Sequence, residues 1–148
     1  MRKLLVVFLA AVFLAAVVPA IASAQQPQFL QVNPQSTNPF SPAVRVVNML
    51  YLAGTLGTKD GKLVAGGIGA ETKQAMQNIR ETLEKAGSDM EHVVKCTVFL
   101  ADFKEWGAMN EVYRTFFQQG RFPARSAFGA TGLALDARTE IECIAVVK

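Results

Sequence analysis

The residue with the sharpest chemistry is Arg125, in the run Phe122-Pro123-Ala124-Arg125-Ser126. Pro123 imposes a stiff, extended entry, so the guanidinium is carried on a strand-like segment. A fixed, permanently charged fork of donors suits a carboxylate, which it grips through two parallel hydrogen bonds. An internal ion pair with Glu140 or Glu142 is an equally good account on physical grounds alone. Those two acids flank Ile141 and share one face of a strand by two-residue alternation, opposite Ile141, Cys143 and Ala145. Acids on an otherwise apolar strand require a partner or a wet cleft. One of them is suited to proton transfer, the other to a structural role.

Other candidates carry less. His92 is the only histidine, so one chain cannot build a histidine-based metal site. A Ser-His-Asp triad would need His92, and no Gly-x-Ser-x-Gly elbow is present. An ordinary residue at a strand start is the expectation for it. Gly66-Gly67-Ile68-Gly69 lacks the following Lys-Ser/Thr of a phosphate loop and reads as a flexible helix entry. Cys96 and Cys143 belong to no CxxC or Cys/His cluster, which argues against metal. A disulfide is possible in an oxidising compartment. Their apolar, strand-like surroundings favour two free buried thiols instead.

These residues are positioned by a simple series of elements. Residues 25–38 read as an irregular arm or edge strand. Val44–Val47 and Met49–Ala53 form a hairpin around Asn48, and the Asp60-Gly61 pair marks a turn. Residues 70–86 form the clearest helix: Met76, Ile79, Leu83 and Ala86 make an apolar stripe, with Glu71, Lys73, Arg80, Glu81 and Lys85 off it. Val93–Leu100 reads as a strand with Val94, Cys96, Val98 and Leu100 on one face and Val93, Thr97 and Phe99 on the other. Asp102 and Glu105 have capping-box spacing before a second helix with Trp106, Met109, Tyr113 and Phe116 or Phe117 on its apolar side, ended by Gly120. Strands at 125–128 and 141–147 close the chain. The order β-β-α-β-α-β-β predicts an α+β fold, one mixed sheet with both helices on one face. The other face is too apolar for free solvent, and self-association is its simplest cover.

The chain opens with Arg2 and Lys3, an apolar run from Leu4 to Val18, and Ala22-Ser23-Ala24. This is the anatomy of a secretory signal peptide, residues 1–24, cleaved after Ala24. The apolar part is shorter than the ~20 residues that span a bilayer, so a periplasmic or secreted protein, free of the membrane after cleavage, is expected. Residues 25–148 then form one domain. Without Arg2 and Lys3 the excess of basic residues falls from three to one. No basic footprint points to nucleic acid.

Four ordered motifs resemble the Rid family, also called YjgF/YER057c/UK114. They are Val93–Leu100, Ala108–Tyr113, Phe122–Ser126 and Glu140–Val146, within a resemblance that runs from about Asn38 to Val147. The resemblance implies a chorismate-mutase-like fold assembled as a homotrimer, with clefts between subunits. It also implies cofactor-free, metal-free hydrolysis of reactive imines and enamines to 2-keto acids and ammonia. Carried over by motif, Arg125 binds the substrate carboxylate, and Glu140 orients the attacking water and moves protons. Phe40, Gly54, Asn110 and Ala127 fall at substrate-binding positions. The chain has Asn38-Pro39-Phe40 for the family's Gly-Pro-Tyr, Ala53-Gly54-Thr55 for Ser-Gly-Gln, and Ala127 for a common cysteine. Those changes make the pocket more apolar. They also leave an alternative of another class, a non-catalytic carboxylate-binding or chaperone-like trimer.

Overall fold

The computed structural model of the protein describes residues 26–31 and 35–148. The signal-peptide reading of residues 1–24 lies outside them. The described chain carries β1 (Gln28–Leu30), β2 (Ala43–Val46), β3 (Met49–Leu52), β4 (Thr55–Leu56), β5 (Thr58–Lys59), β6 (Lys62–Leu63), α1 (Gly67–Lys85), β7 (Val93–Leu100), α2 (Trp106–Tyr113), β8 (Ala124–Gly129) and β9 (Thr139–Val146). The main sheet runs β1-β2-β3-β9-β7-β8, and β4 also pairs with β9. Only β7 and β8 run parallel, with α2 between them in the chain. The mixed sheet with two helices agrees with the expected α+β class.

The hairpin and the Asp-Gly turn follow the sequence closely. Val46 pairs with Met49, which leaves Val47 and Asn48 as a two-residue turn. Val47 is therefore a turn residue, at φ 56, rather than the last strand residue expected. Asp60 and Gly61, at φ 53 and 76, join β5 to β6 in the left-handed conformation that such a turn demands.

α1 starts three residues before the expected 70, because the glycine run supplies its first turn rather than a loose entry. Its buried side is Ile68, Glu71, Thr72, Ala75, Met76, Ile79 and Leu83. Glu71 thus lies on the buried side and not off it. Its Oε2 accepts the backbone N–H of Arg138 at 2.7 Å, which ties the segment before β9 to the helix. A carboxylate is tolerated there because it is hydrogen-bonded.

β7 departs from simple alternation at its start. A register shift between Val93 and Lys95 sends Val93 into the core and leaves Val94 exposed, the reverse of the expectation. From Cys96 onward Cys96, Val98 and Leu100 face the core as expected. They meet Leu50, Ile79, Leu83, Met109 and Ile141 in one hydrophobic cluster. Each large apolar side chain buried this way contributes roughly 1.5–3 kcal/mol before the entropy of ordering it.

Asp102 caps a short 3₁₀ turn, accepting from the Lys104 N–H at 2.9 Å, and α2 begins only at Trp106. Glu105 does not complete the expected capping box. Its carboxylate pairs with Arg138. The α-helix ends at Tyr113 and continues as a 3₁₀ turn through Phe116, well before Gly120.

Cys96 and Cys143 are bonded to each other, contrary to the free thiols expected. The register explains it: Cys96 of β7 lies directly opposite Cys143 of β9, with Cα atoms 4.1 Å apart. Two cysteines facing each other on neighbouring strands, both pointing into the core, are already within bonding reach.

Candidate functional site

Arg125 lies on the edge strand β8, in register with Cys96 of β7. Cys96 faces the core, so Arg125 projects from the helix-bearing side of the sheet. There it meets one side of α2. Its Nη1 donates to Asn110 Oδ1 at 2.9 Å, and its guanidinium carbon lies 4.7 Å from the Tyr113 ring centre and 5.7 Å from that of Trp106. Among the described residues it has no carboxylate partner; the ion pairs are His92–Asp89, Arg138–Glu105 and Lys148–Asp89. The even choice left by the sequence is thereby decided against the internal ion pair. A cavity of about 330 Å³ opens here, lined by Asn110, Tyr113, Arg114, Phe122, Pro123 and Arg125. Its lining includes two arginines and no acid.

Burial pushes the Tyr113 phenol up to about 12, against a smaller opposing effect of the Arg125 charge. The phenol is therefore neutral at all physiological pH values. Its hydroxyl finds no partner among the described residues.

Glu140 faces the other way. In β9 the residues Thr139, Ile141, Cys143 and Ala145 are buried against the helices, so Glu140 projects from the opposite sheet face. Its carboxylate makes no hydrogen bond or ion pair among the described residues and lines a cavity of about 580 Å³. Asn38, Phe40, Pro42, Gly54 and Leu135 are further walls of that cavity. Gly54 is there for a steric reason. A Cβ at this position would stand 1.9 Å from Glu140 Oε1, so any larger residue displaces the carboxylate. Glu142, on the same face, is exposed and touches neither Arg125 nor this cavity.

Within one chain the candidate residues therefore form two groups. Phe40, Gly54 and Glu140 line one cavity; Asn110 and Arg125 line the other. Ala127, opposite Val98 in register, packs partly buried against the core and lines neither. Glu140 is paired with Phe99, three positions along β7 from the Cys96 that pairs with Arg125. That offset is about 10 Å along the strands, with a further ~10 Å across two strand spacings.

Several site residues escaped the sequence reading. Trp106 and Tyr113 were expected only as core side chains, although their spacing with Asn110 at i, i+4 and i+7 puts all three on one helix side. Leu135 reaches the Glu140 cavity from a non-glycine left-handed conformation, φ 60, for which the sequence has no signal. His92 is a local structural residue: its Nδ1 lies 2.7 Å from Asp89 Oδ1. Lys148 and His92 together hold the Asp89 carboxyl well below the usual carboxylate range. No group of three or more potential metal ligands occurs among the described residues.

A mixed main sheet with two helices on one side is the α+β architecture of the YjgF/Rid class. The chain belongs to that family: residues 30–147 match the family described as Endoribonuclease L-PSP. A mouse protein named 2-iminobutanoate/2-iminopropanoate deaminase is 45% identical over 115 residues, covering 76% of this chain and 84% of the mouse protein. The human protein of the same name is 41% identical over 115 residues, covering 76% and 83%. Among solved structures, RidA from an Antarctic Psychrobacter superposes with a TM-score of 0.74 at 31% identity, covering 81% of this chain and 99% of that one.

Proposed function

We propose that the protein hydrolyses reactive imines and enamines that carry a carboxylate, releasing a 2-keto acid and ammonia. The observation that carries this reading is Arg125: a partly buried guanidinium braced by neutral groups, without a carboxylate partner among the described residues, in a chain whose relatives are named imine deaminases. In the reaction, water adds to the C=N carbon and its proton passes to nitrogen. The tetrahedral carbinolamine then expels ammonia as the C=O forms. An enamine substrate first takes a proton on carbon to become the imine. Arg125 holds the substrate carboxylate, which fixes the position of the reacting carbon, and Glu140 receives and returns the proton of water. The reaction so written needs only water and these groups.

Because Arg125 and Glu140 project from opposite faces, the complete site lies between copies of the chain. A homotrimer supplies that arrangement. Its support is the helix-free sheet face, where Phe99 and Phe128 stack at 6.3 Å and Tyr51, Val94 and Phe128 are exposed. The site acts outside the cytoplasm; the leader-like residues 1–24 and the Cys96–Cys143 bond support this. A cavity lined by two arginines in a chain with so small an excess of basic residues suits small carboxylates rather than nucleic acid.

The test is keto-acid release by residues 25–148 from imino acids generated in situ by an amino-acid oxidase. Arg125→Ala is expected to lower kcat/KM by about 10²-fold or more. Glu140→Gln should lower kcat by roughly 10²–10⁴-fold. Turnover unchanged in Arg125→Ala overturns the assignment. The apolar walls Phe40 and Pro42 around Glu140 favour one competing reading, a carboxylate-binding trimer without turnover. Thermal stabilisation by pyruvate with no hydrolysis of any imine would select it.

A further inference from the structure

We propose that Trp106, Asn110 and Tyr113 are positioning residues that hold the Arg125 guanidinium in its carboxylate-gripping pose. The proposal rests on the carboxylate-binding role given to Arg125 above. An arginine on an edge strand starts with considerable rotamer freedom, and freezing it on each binding event weakens the grip. Here the freezing is done in advance by one side of α2. The three residues sit at i, i+4 and i+7, so their side chains stack along the helix on the side that faces β8. Asn110 Oδ1 takes one N–H of Nη1 at 2.9 Å, which fixes rotation about the end of the side chain. The aromatic rings of Tyr113 and Trp106, centred 4.7 and 5.7 Å from the guanidinium carbon, fix its position by cation–π attraction. None of the three is charged, so none neutralises the cation, and the recorded hydrogen bond takes one of its five N–H donors.

The choice of residue types fits this role beside ordinary core packing. Tyr113 is almost fully buried, yet its hydroxyl has no partner among the described residues. Its ring packs in the hydrophobic cluster against Phe117 and at the same time faces the Arg125 guanidinium. Trp106 is substantially exposed, so it adds little to the core; its contact with Arg125 is what it supplies. A hydrophobic stripe selected for packing alone would bury Trp106 and would not place an amide between two aromatics.

Trp106 is the only tryptophan in the chain, which makes the site its own reporter. Pyruvate, as a stable 2-keto acid probe, is expected to change the Trp106 fluorescence of residues 25–148 on binding, and Arg125→Ala should abolish that response. In the imine assay, Trp106→Ala and Asn110→Ala should each raise KM about tenfold with kcat changed less than about threefold, the pattern of lost uniform binding. Tyr113→Leu should behave the same way, and Tyr113→Phe should restore KM because the ring is kept. Since Tyr113→Leu opens the core, the exposed Trp106→Ala variant, with its melting temperature checked, carries the test if that protein fails to fold. An unchanged KM in both Trp106→Ala and Asn110→Ala overturns the proposal, as does a Tyr113→Phe variant as impaired as Tyr113→Leu. If these outcomes occur while Arg125→Ala still loses activity, only the positioning role fails. If Arg125→Ala keeps full turnover, the proposed function fails with it.

Discussion

The two halves of the candidate site are built on opposite plans. Arg125 stands on an edge strand, and a helix supplies its support: one amide and two aromatic rings. Glu140 stands on β9, in the interior of the sheet, and its position depends on an absence, the missing Cβ of Gly54. The arginine's cavity is small and carries only positive charge; the acid's cavity is larger and walled by Phe40, Pro42 and Leu135. Permanent charge tolerates neutral bracing, because a guanidinium keeps its proton whatever surrounds it. Among the described residues Glu140 is without a hydrogen-bond partner and Arg125 is crowded by neutral groups, which suits the duties proposed for them.

The sharpest way to break this comparison is to place the two lesions on different chains. Arg125→Ala and Glu140→Gln proteins, each almost inactive, should regain about a quarter of wild-type activity after unfolding and refolding as an equal mixture, if every site draws one residue from each of two copies. No recovery in the mixture, with both proteins refolded and oligomeric, would place both residues of each site on one chain. Next in size, Gly54→Ala should lower kcat on the order of 10²-fold by moving the Glu140 carboxylate. The pyruvate response of Trp106 should survive in that variant, since the arginine half is untouched. An equal loss of ligand binding would show that the halves are not independent.

The disulfide offers a smaller effect. Cys96–Cys143 fastens the strand that lies between the halves to the strand that carries Glu140. Removing it with the double change Cys96→Ala and Cys143→Ala should cost about 2–4 kcal/mol, read by denaturant unfolding with and without a reductant. The wild-type protein should fall to the same value once reduced. The smallest effect comes from the Asp89–His92–Lys148 cluster, which lines neither cavity. Folding lowers the Asp89 carboxyl well below its ordinary value, so its contribution is complete above the unfolded value and is lost as pH falls through the folded one. Asp89→Asn should therefore lose less stability than wild type between pH 5 and pH 2, by no more than about 1 kcal/mol for so open a cluster. Imine turnover at neutral pH should not change.

Much of the fold was legible because it rests on local rules. The stripe at Met76, Ile79 and Leu83 made α1, the Asp60-Gly61 pair made its turn, and alternation placed Glu140 and Glu142 on one face of β9. Where the reading failed, a non-local partner had intervened. A bulge exchanged Val93 for Val94, Arg138 drew Glu71 into the buried side of α1, and Arg138 also claimed Glu105 from its capping box. The cysteines show the same limit. Their burial followed from the strand pattern, but their bond depended on the register of β7 against β9, and two-residue periodicity does not set register between strands 47 residues apart.

The sequence by itself determined the class of fold, because periodicity and ordered motifs are written along the chain, and its family resemblance singled out Arg125 and Glu140 as the candidates for ligand group and helper. Only the tertiary structure decided that Arg125 has no carboxylate partner among the described residues, that α2 braces it, and that Glu140 looks away from it across the sheet. Those outcomes depend on which strands become neighbours and which side chains then share a face. They are properties of distance in space, which residue types and spacing along one chain do not carry.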